Sequence, residues 1–493
     1  MLRVIVTALT IAHGSDGLPV KPPTSVGMSE SRLETIDRVV TRGISAGGYP
    51  GAAVVVGRKG ATVWSKGFGH VGWGPDATPV VPNRTIYDIA SLSKVVGTTS
   101  AVMLLYDEKK IDLDAPVFRY LPAFSGGSRD RVTVRQLLTH RSGLPAGRDI
   151  WRVARSPEQA RDMILSTPLE YLPDSRYVYS DLGADLLGFI VETVSGQRLD
   201  QFLDQRLFKP LGMTDTYYRP ADSLRYRIAP TELNPPRGYP LRGEVHDENA
   251  YALGGVAGHS GLFSTAADLS IFAQMMLNKG QYDGKHIFTD STVDLFTQKV
   301  IGHRALGWDT ADGDFGSGQY LTEKSYGHTG FTGTSLWIDP DREMFVILLT
   351  NRVHAATAKR PAKVISDVRS DLSDAAVLAV MDSPQGILEM PAFFRADREV
   401  GWNVPLKPVR AKSRLASRGK VVRSSRVKKG KASKASSRIA KASAKKVKAS
   451  KATKKKVSSK AVKSSVKKKT SSKAAKTSVK KKQPVSAKRR ATK

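Results

Sequence analysis

The residues best suited to covalent chemistry in this chain are a hydroxyl, an amine and a phenol. In Tyr87-Asp-Ile-Ala-Ser91-Leu-Ser-Lys94 the serine and the lysine are three residues apart. That is nearly one helical turn, so a helix over Ser91 to Tyr106 puts both side chains on one face, the amine within reach of the hydroxyl. A serine hydroxyl is a poor nucleophile at neutral pH and needs a base beside it. A half-buried lysine can be desolvated enough to be neutral part of the time, and a helix N-terminus favours the developing alkoxide. Tyr179-Ser180-Asp181 lies 88 residues downstream of Ser91, and His328-Thr329-Gly330 lies 237 downstream. There is no cysteine, which excludes disulfides, thiolate metal sites and a cysteine nucleophile. The nine histidines show no pair at i+2, i+3 or i+4, which argues against a zinc hydrolase.

Two further matches fail on context. Gly43-Ile-Ser45-Ala-Gly47 has the G-x-S-x-G spacing of a nucleophile elbow, but the elbow needs a strand before and a helix after, and here a helix precedes a strand. Gly67-Phe-Gly69-His-Val-Gly72 has the spacing of a dinucleotide loop, but the Trp73-Gly-Pro-Asp-Ala-Thr-Pro that follows cannot open a phosphate-binding helix.

Elements must bring these distant residues together. Ser29 to Ile44 starts on a Ser cap and has Leu33, Ile36, Val40 and Ile44 at helical spacing. Gly51 to Val56 and Ala61 to Phe68 are β-branched runs joined at Arg58-Lys-Gly60, a hairpin. Helix, strand, strand argues for helices against an antiparallel sheet rather than βαβ repeats. From Ser91 to Asp268 the pattern is mostly helical, and strands return at Ala305–Trp308, Ser325–His328, Thr334–Ile338 and Met344–Leu349. A last helix carries Val364, Ile365, Val368, Leu372 and Ala376 on one face. The expected fold is therefore α/β (α+β): an antiparallel sheet built from both ends of the body, flanked by helices, with a mostly helical insertion lobe.

In this order, S-x-x-K, then Tyr179-Ser180-Asp181, then His328-Thr329-Gly330, the chain resembles the serine β-lactamase and penicillin-binding-protein superfamily. Asp112-Leu-Asp-Ala-Pro-Val117, Leu137-Leu-Thr-His-Arg-Ser-Gly-Leu144 and Gly258-His-Ser-Gly-Leu-Phe-Ser-Thr265 are similar to its class C β-lactamase-related branch. Val245-His-Asp-Glu-Asn249 is similar to a sub-branch of penicillin-binding-protein-4B-type carboxypeptidases and esterases such as family VIII. The likeness covers residues 28–380. It implies a serine hydrolase acting through an acyl-enzyme on Ser91, with Lys94 and Tyr179 as the proton-transfer pair. The same likeness gives an oxyanion hole of backbone N–H groups from Ser91 and Phe331, and no cofactor. Substrates would be esters, peptidoglycan-derived peptides or β-lactams. An alternative register reads Ser180-Asp181-Leu182 as a degraded S-D-N. Asp181 stands where the family usually has Asn, and His328 where many members have Lys. With His328 neutral the site is then two charges more negative, which should raise the Lys94 pKa, shift the base role to Tyr179 and disfavour substrate carboxylates. His140 and Ser142 read as loop-shaping residues. His259 sits in a Gly-rich turn, and Arg352 could hold an anionic substrate end or pair on the surface.

The charge is unevenly spread. Of 78 Lys+Arg, 34 lie between Arg410 and Lys493, which hold no Asp or Glu, and the first 409 residues have 44 basic groups against all 45 acidic ones. Residues 410–493, compositionally similar to linker-histone tails, cannot bury enough apolar surface to fold alone. They read as a disordered, sequence-blind tether to nucleic acid or an anionic envelope polymer. Residues 381–409 read as an extended strap leading to it. Residues 1–14, with a basic start, an apolar stretch and small residues, read as a signal peptide, implying an exported protein, periplasmic or extracellular. No apolar run approaches the ~18 residues of a membrane span. The competing reading is a polyanion-binding protein with a catalytically idle β-lactamase-like body.

Overall fold

The computed structural model describes residues 15–233, 235–311, 316–384 and 386–398. The signal peptide read at 1–14 and the basic tail at 410–493 lie outside the described residues, as does the end of the strap.

Ser29 caps α1 (Glu30–Leu33), accepting the Arg32 N–H, and the chain breaks once before α2 (Thr35–Ser45). The strands follow: β1 (Gly51–Arg58), β2 (Ala61–Gly69), β3 (Tyr87–Asp88), β4 (Tyr217–Tyr218), β5 (Leu262–Ser264), β6 (Gln281–Tyr282) and β7 (Lys285–His286). The last four are β8 (Asp309–Thr310), β9 (Tyr326–Gly330), β10 (Thr334–Asp339) and β11 (Met344–Thr350). Six of them form one antiparallel sheet in the order β2-β1-β11-β10-β9-β8, so the first and last strands of the body meet at its centre.

Register explains the unbroken apolar run of β1. Val55 pairs with Ile347 and Val54 with Leu348, and successive side chains point to opposite faces. Ala53 and Val55 pack with Val95 and Val96 under the helical lobe. Ala52, Val54 and Val56 pack with Ile36, Val40, Val364 and Val368 beneath α2 and the C-terminal helix Pro361–Leu378. Both faces are covered, so alternation gives way to continuous burial. The hairpin turns where Lys59 and Gly60 take left-handed conformations, at φ 49° and 80°.

Two local expectations are corrected. The helix opening at Ser91 is not uniformly α: after Leu92 and Ser93 it widens to a π-helix over Lys94–Thr99, then tightens into α3 (Ser100–Asp107). All six π residues are buried, and Ser100 Oγ donates to the Val95 carbonyl five residues back, a local bond outside the i→i−4 ladder. π segments concentrate at functional sites. The strand expected at Ala305–Trp308 is a bend: Gly307 has φ 88°, and Trp308 turns inward onto Tyr326 and Phe272. Pairing starts one residue later, with β8.

The lobe also holds a small sheet, β3-β5-β4, unforeseen in the sequence, where Tyr87 pairs with Ser264 and Tyr217 with Phe263. It places Asp88 and Ser91 beside Gly258–Ser264. Two short helices, α4 (Val134–Leu138) and α5 (Pro157–Leu165), lead to α6 (Asp181–Ser195), the long helix of the lobe. Residues 386–394 have neither helix nor strand, and Phe394 is buried in the core beneath the sheet. Among the described residues no helix is long and apolar enough to cross a membrane.

Candidate active site

Ser91 sits directly after a strained turn. Ala90 has φ 47°, costly for a residue with a Cβ, and its N–H donates to Asp88 Oδ1 at 2.8 Å. Asp88 is buried and its other oxygen accepts the His246 N–H at 2.7 Å, so one carboxylate ties the turn to the 245–249 segment. Burial pushes the Asp88 pKa up, against those two N–H donors.

Lys94 is 3% exposed, and its ammonium meets three oxygens: Ser91 Oγ at 3.0 Å, Asp181 Oδ1 at 2.7 Å and the His259 carbonyl at 3.0 Å. The Tyr179 ring centroid lies 5.0 Å from the same nitrogen. Burial works against the charge, but Asp181 and Tyr179 outweigh it and hold the Lys94 pKa above its ordinary value. Three donors facing three acceptors describe a protonated amine.

Tyr179 is set by its neighbours. Ser180, next to it, is buried and caps α6, accepting the Gly183 N–H at 3.3 Å and donating to the Pro145 carbonyl at 2.6 Å. The Ser180 N–H donates to His140 Nδ1 at 3.1 Å, and the His140 ring lies 4.5 Å from that of Tyr179. The phenol, not the Ser180 hydroxyl, therefore faces Lys94. His140 is kept neutral by burial first, then by the cations Arg304 and Lys94.

On the opposite wall β9 presents His328, Thr329 and Gly330. His328 is 2% exposed; its Nδ1 lies 2.7 Å from the Thr329 carbonyl and its Nε2 3.8 Å from Asp309. Burial pushes its pKa down to about 4, so it stands neutral at pH 7. Gly330 is required by close approach: a Cβ there would come within 2.4 Å of the Ile89 carbonyl. Phe331 follows in the turn, 60% exposed, stacked on His246 and beneath the Arg352 guanidinium at 4.6 Å. Among the described residues neither the Ser91 nor the Phe331 N–H has a protein acceptor.

Ser91, Tyr179, His328, Thr329, Gly330 and Phe331 line one cleft of about 470 Å³. Of the residues singled out from sequence, these six and Arg352 line the cleft and Lys94 adjoins both Ser91 and Asp181, whereas His140, Ser142 and His259 do not line it. Two cations share this cleft. Arg369, on the C-terminal helix, is buried and donates to the Gly330 and Thr334 carbonyls at 2.6 and 2.9 Å, which steadies the turn before Phe331. Burial pushes its pKa down to about 9. Among the described residues neither Arg352 nor Arg369 forms an ion pair with a carboxylate, though Glu232 is near enough to attract Arg352. Counting charge from Asp181 and His328 alone therefore understated the cationic side of the site. Sequence reasoning missed Arg369, Asp88 and Asp185. For Asp185 a signal was available: Asp181 and Asp185 are four apart and so share a helix face.

Comparison with known proteins identifies the family. The sequence profile of the β-lactamase family matches residues 36–369. A protein of Escherichia coli strain K12, provisionally named a D-alanyl-D-alanine carboxypeptidase, is 33% identical over 400 residues, covering 73% of this chain and 92% of its own. The N-acetylmuramyl-L-alanine amidase of Bacillus subtilis strain 168 is 35% identical over 363 residues, covering 66% and 82%. A penicillin-binding protein homolog from Caulobacter crescentus shares the fold, with a TM-score of 0.54 at 20% identity over 67% of this chain and 98% of that one. The chain belongs to the β-lactamase family and is a serine hydrolase of that type, acting on ester or amide substrates.

Proposed function

We propose that Ser91 is acylated, with Tyr179 as the proton acceptor and Lys94 as a charged donor that orients Ser91 and lies against the Tyr179 ring. The observation that carries this reading is the 3.0 Å contact from Lys94 Nζ to Ser91 Oγ, made by an amine whose other two donors are already occupied. Ser91 Oγ attacks the substrate carbonyl and its proton passes to Tyr179. The oxyanion is taken by the Ser91 and Phe331 N–H groups, worth roughly 3–4 kcal/mol per donor. The leaving amine or alcohol collects the proton from Tyr179, and a water deprotonated by the same oxygen then hydrolyses the ester to Ser91.

The substrate we favour carries a carboxylate beside the scissile bond, because Arg352 and Arg369 line the cleft and, among the described residues, form no ion pair with a carboxylate. A peptidoglycan-derived peptide end meets this description, and the relative named a carboxypeptidase supports it. Export, with residues 1–14 as the leader, is supported by their basic start and apolar stretch, and the mass of the mature N-terminus tests it. A panel of short acyl esters, D-Ala-D-Ala peptides and a chromogenic cephalosporin tests the substrate class. The expected order places the D-Ala-D-Ala peptides first in kcat/KM, and neutral esters ahead of every anionic substrate would reject it. For residues 410–493 the proposed partner is a polyanion bound without sequence preference, supported by 34 uncompensated basic groups. Deleting them should leave the ester rate intact and abolish retention on heparin or DNA.

A further inference from the structure

The Gly258-His259-Ser260 turn has an arrangement that the acylation chemistry does not by itself require. His259 is 2% exposed, with Nδ1 2.7 Å from Asp185 Oδ1 and Nε2 2.8 Å from Asp247 Oδ1. A carboxylate on each ring nitrogen calls for a proton on each, that is, an imidazolium. Burial opposes that charge, but the two carboxylates hold the His259 pKa well above its usual value.

The backbone of the turn is gripped as well as the ring. Asp185 Oδ1 also accepts the Gly258 and His259 N–H groups, at 3.0 and 3.3 Å. A Cβ at Gly258 would lie 2.0 Å from the Ala184 carbonyl, so this turn rests directly on the backbone of α6. From the far side Asp247 is fixed by its own duty, accepting the Ala250 N–H as cap of the helix Glu248–Ala252. The product of all these bonds is the position of one atom, the His259 carbonyl oxygen 3.0 Å from Lys94 Nζ. Helix α6 thus holds the ammonium twice, directly through Asp181 and, one turn on, through Asp185 and His259.

We propose that His259, clamped between Asp185 and Asp247, is a positioning residue that fixes the third acceptor of the Lys94 ammonium and so aims its remaining proton at Ser91 Oγ. If that carbonyl relaxes away, the ammonium is free to turn toward the Asp181 carboxylate and leave the serine. The loss falls on the chemical step, because the clamp lies behind Lys94 and none of its side chains lines the cleft. This inference rests on the acyl-enzyme reading above.

The test uses the full chain, a neutral chromogenic ester and the rate of Ser91 labelling by a fluorophosphonate. H259Q, shown to unfold cooperatively, should lose about 100-fold in kcat with KM changed less than about 3-fold, as for a misplacement of a reacting group by about 1 Å. D247N keeps an oxygen for the His259 ring and for the helix cap, so it should fall at least about 10-fold less than D247A. H259Q with an undiminished kcat overturns the inference, and so does a loss that appears only in KM. Should H259Q fail to fold, the Asp247 pair decides: equal rates in D247N and D247A overturn it, and the expected gap supports it. A wild-type chain inert to every acylating probe overturns the acyl-enzyme reading and this inference together. A wild type that labels while the variants are unaffected overturns this inference alone.

Discussion

Replacing Asp181 by Asn probes which group gives and which takes the proton at Ser91. The Asp181 carboxylate sits 2.7 Å from Lys94 Nζ and is one-third exposed, while the lysine is buried. The Coulomb interaction at that separation is about 6 kcal/mol at an effective dielectric of about 20, and about 3 kcal/mol at about 40 once solvent near Asp181 is allowed for. Removing it should lower the Lys94 pKa by about 2–4 units. Burial, which already opposes the ammonium, then has less to overcome. In the wild type, kcat/KM for a neutral ester should stay flat up to pH 9 as far as Lys94 is concerned. D181N should begin to fall above about pH 9 as the ammonium is lost, because a neutral amine no longer offers Ser91 Oγ a charged donor. The assay is a pH–rate profile from 6 to 10 with Ser91 labelling in parallel. An unmoved alkaline limb would refute the electrostatic reasoning. A D181N rate that rises with pH through the same range would make the neutral amine the base and remove that role from Tyr179.

Three further outcomes follow from single residues. S180A removes the α6 cap and a bond to Pro145, so it should cost about 1–2 kcal/mol by denaturant unfolding while leaving Ser91 labelling within a few-fold; labelling lost in S180A but kept in Y179F would reverse the choice between the two registers. R352A should raise KM for a carboxylate-bearing substrate about 10-fold or more and barely alter KM for a neutral ester, so equal effects on both would deny it an anion-binding role. His328 has a folded pKa of about 4 against an unfolded value near 6.5, so its contribution to stability is present above pH 6.5 and lost as pH falls toward 4. That loss amounts to about 2–3 kcal/mol at pH 4.5, and H328Q should unfold with correspondingly less acid sensitivity between pH 7 and pH 4.5.

Much of this was readable in the sequence because the signals are local. Ser91 and Lys94 share a turn, Val54 to Val56 declare a buried strand, and Ser29 and the Lys59-Gly60 pair mark a cap and a hairpin. The features that escaped depend on tertiary contact. Nothing within Lys94–Thr99 announces a π-helix, which arises where the whole segment is enclosed. Ala305–Trp308 has the composition of a strand, but Trp308 gains more by turning into the core than by pairing at an edge. Arg369 lies between Val368 and Ser370 on a helix with an ordinary amphipathic pattern, and only the fold shows that it reaches the carbonyl of Gly330. The Asp185–His259–Asp247 clamp draws on three separate segments, so no spacing rule finds it whole.

The central claim is a covalent bond at one oxygen. Intact-mass and peptide mass spectrometry of the full chain, after exposure to a fluorophosphonate and to a fluorescent penicillin, tests it most directly. Acylation at Ser91 predicts a single adduct on the peptide containing Ser91 and Lys94, absent from S91A. An adduct on another residue, or equal labelling of S91A, would contradict it.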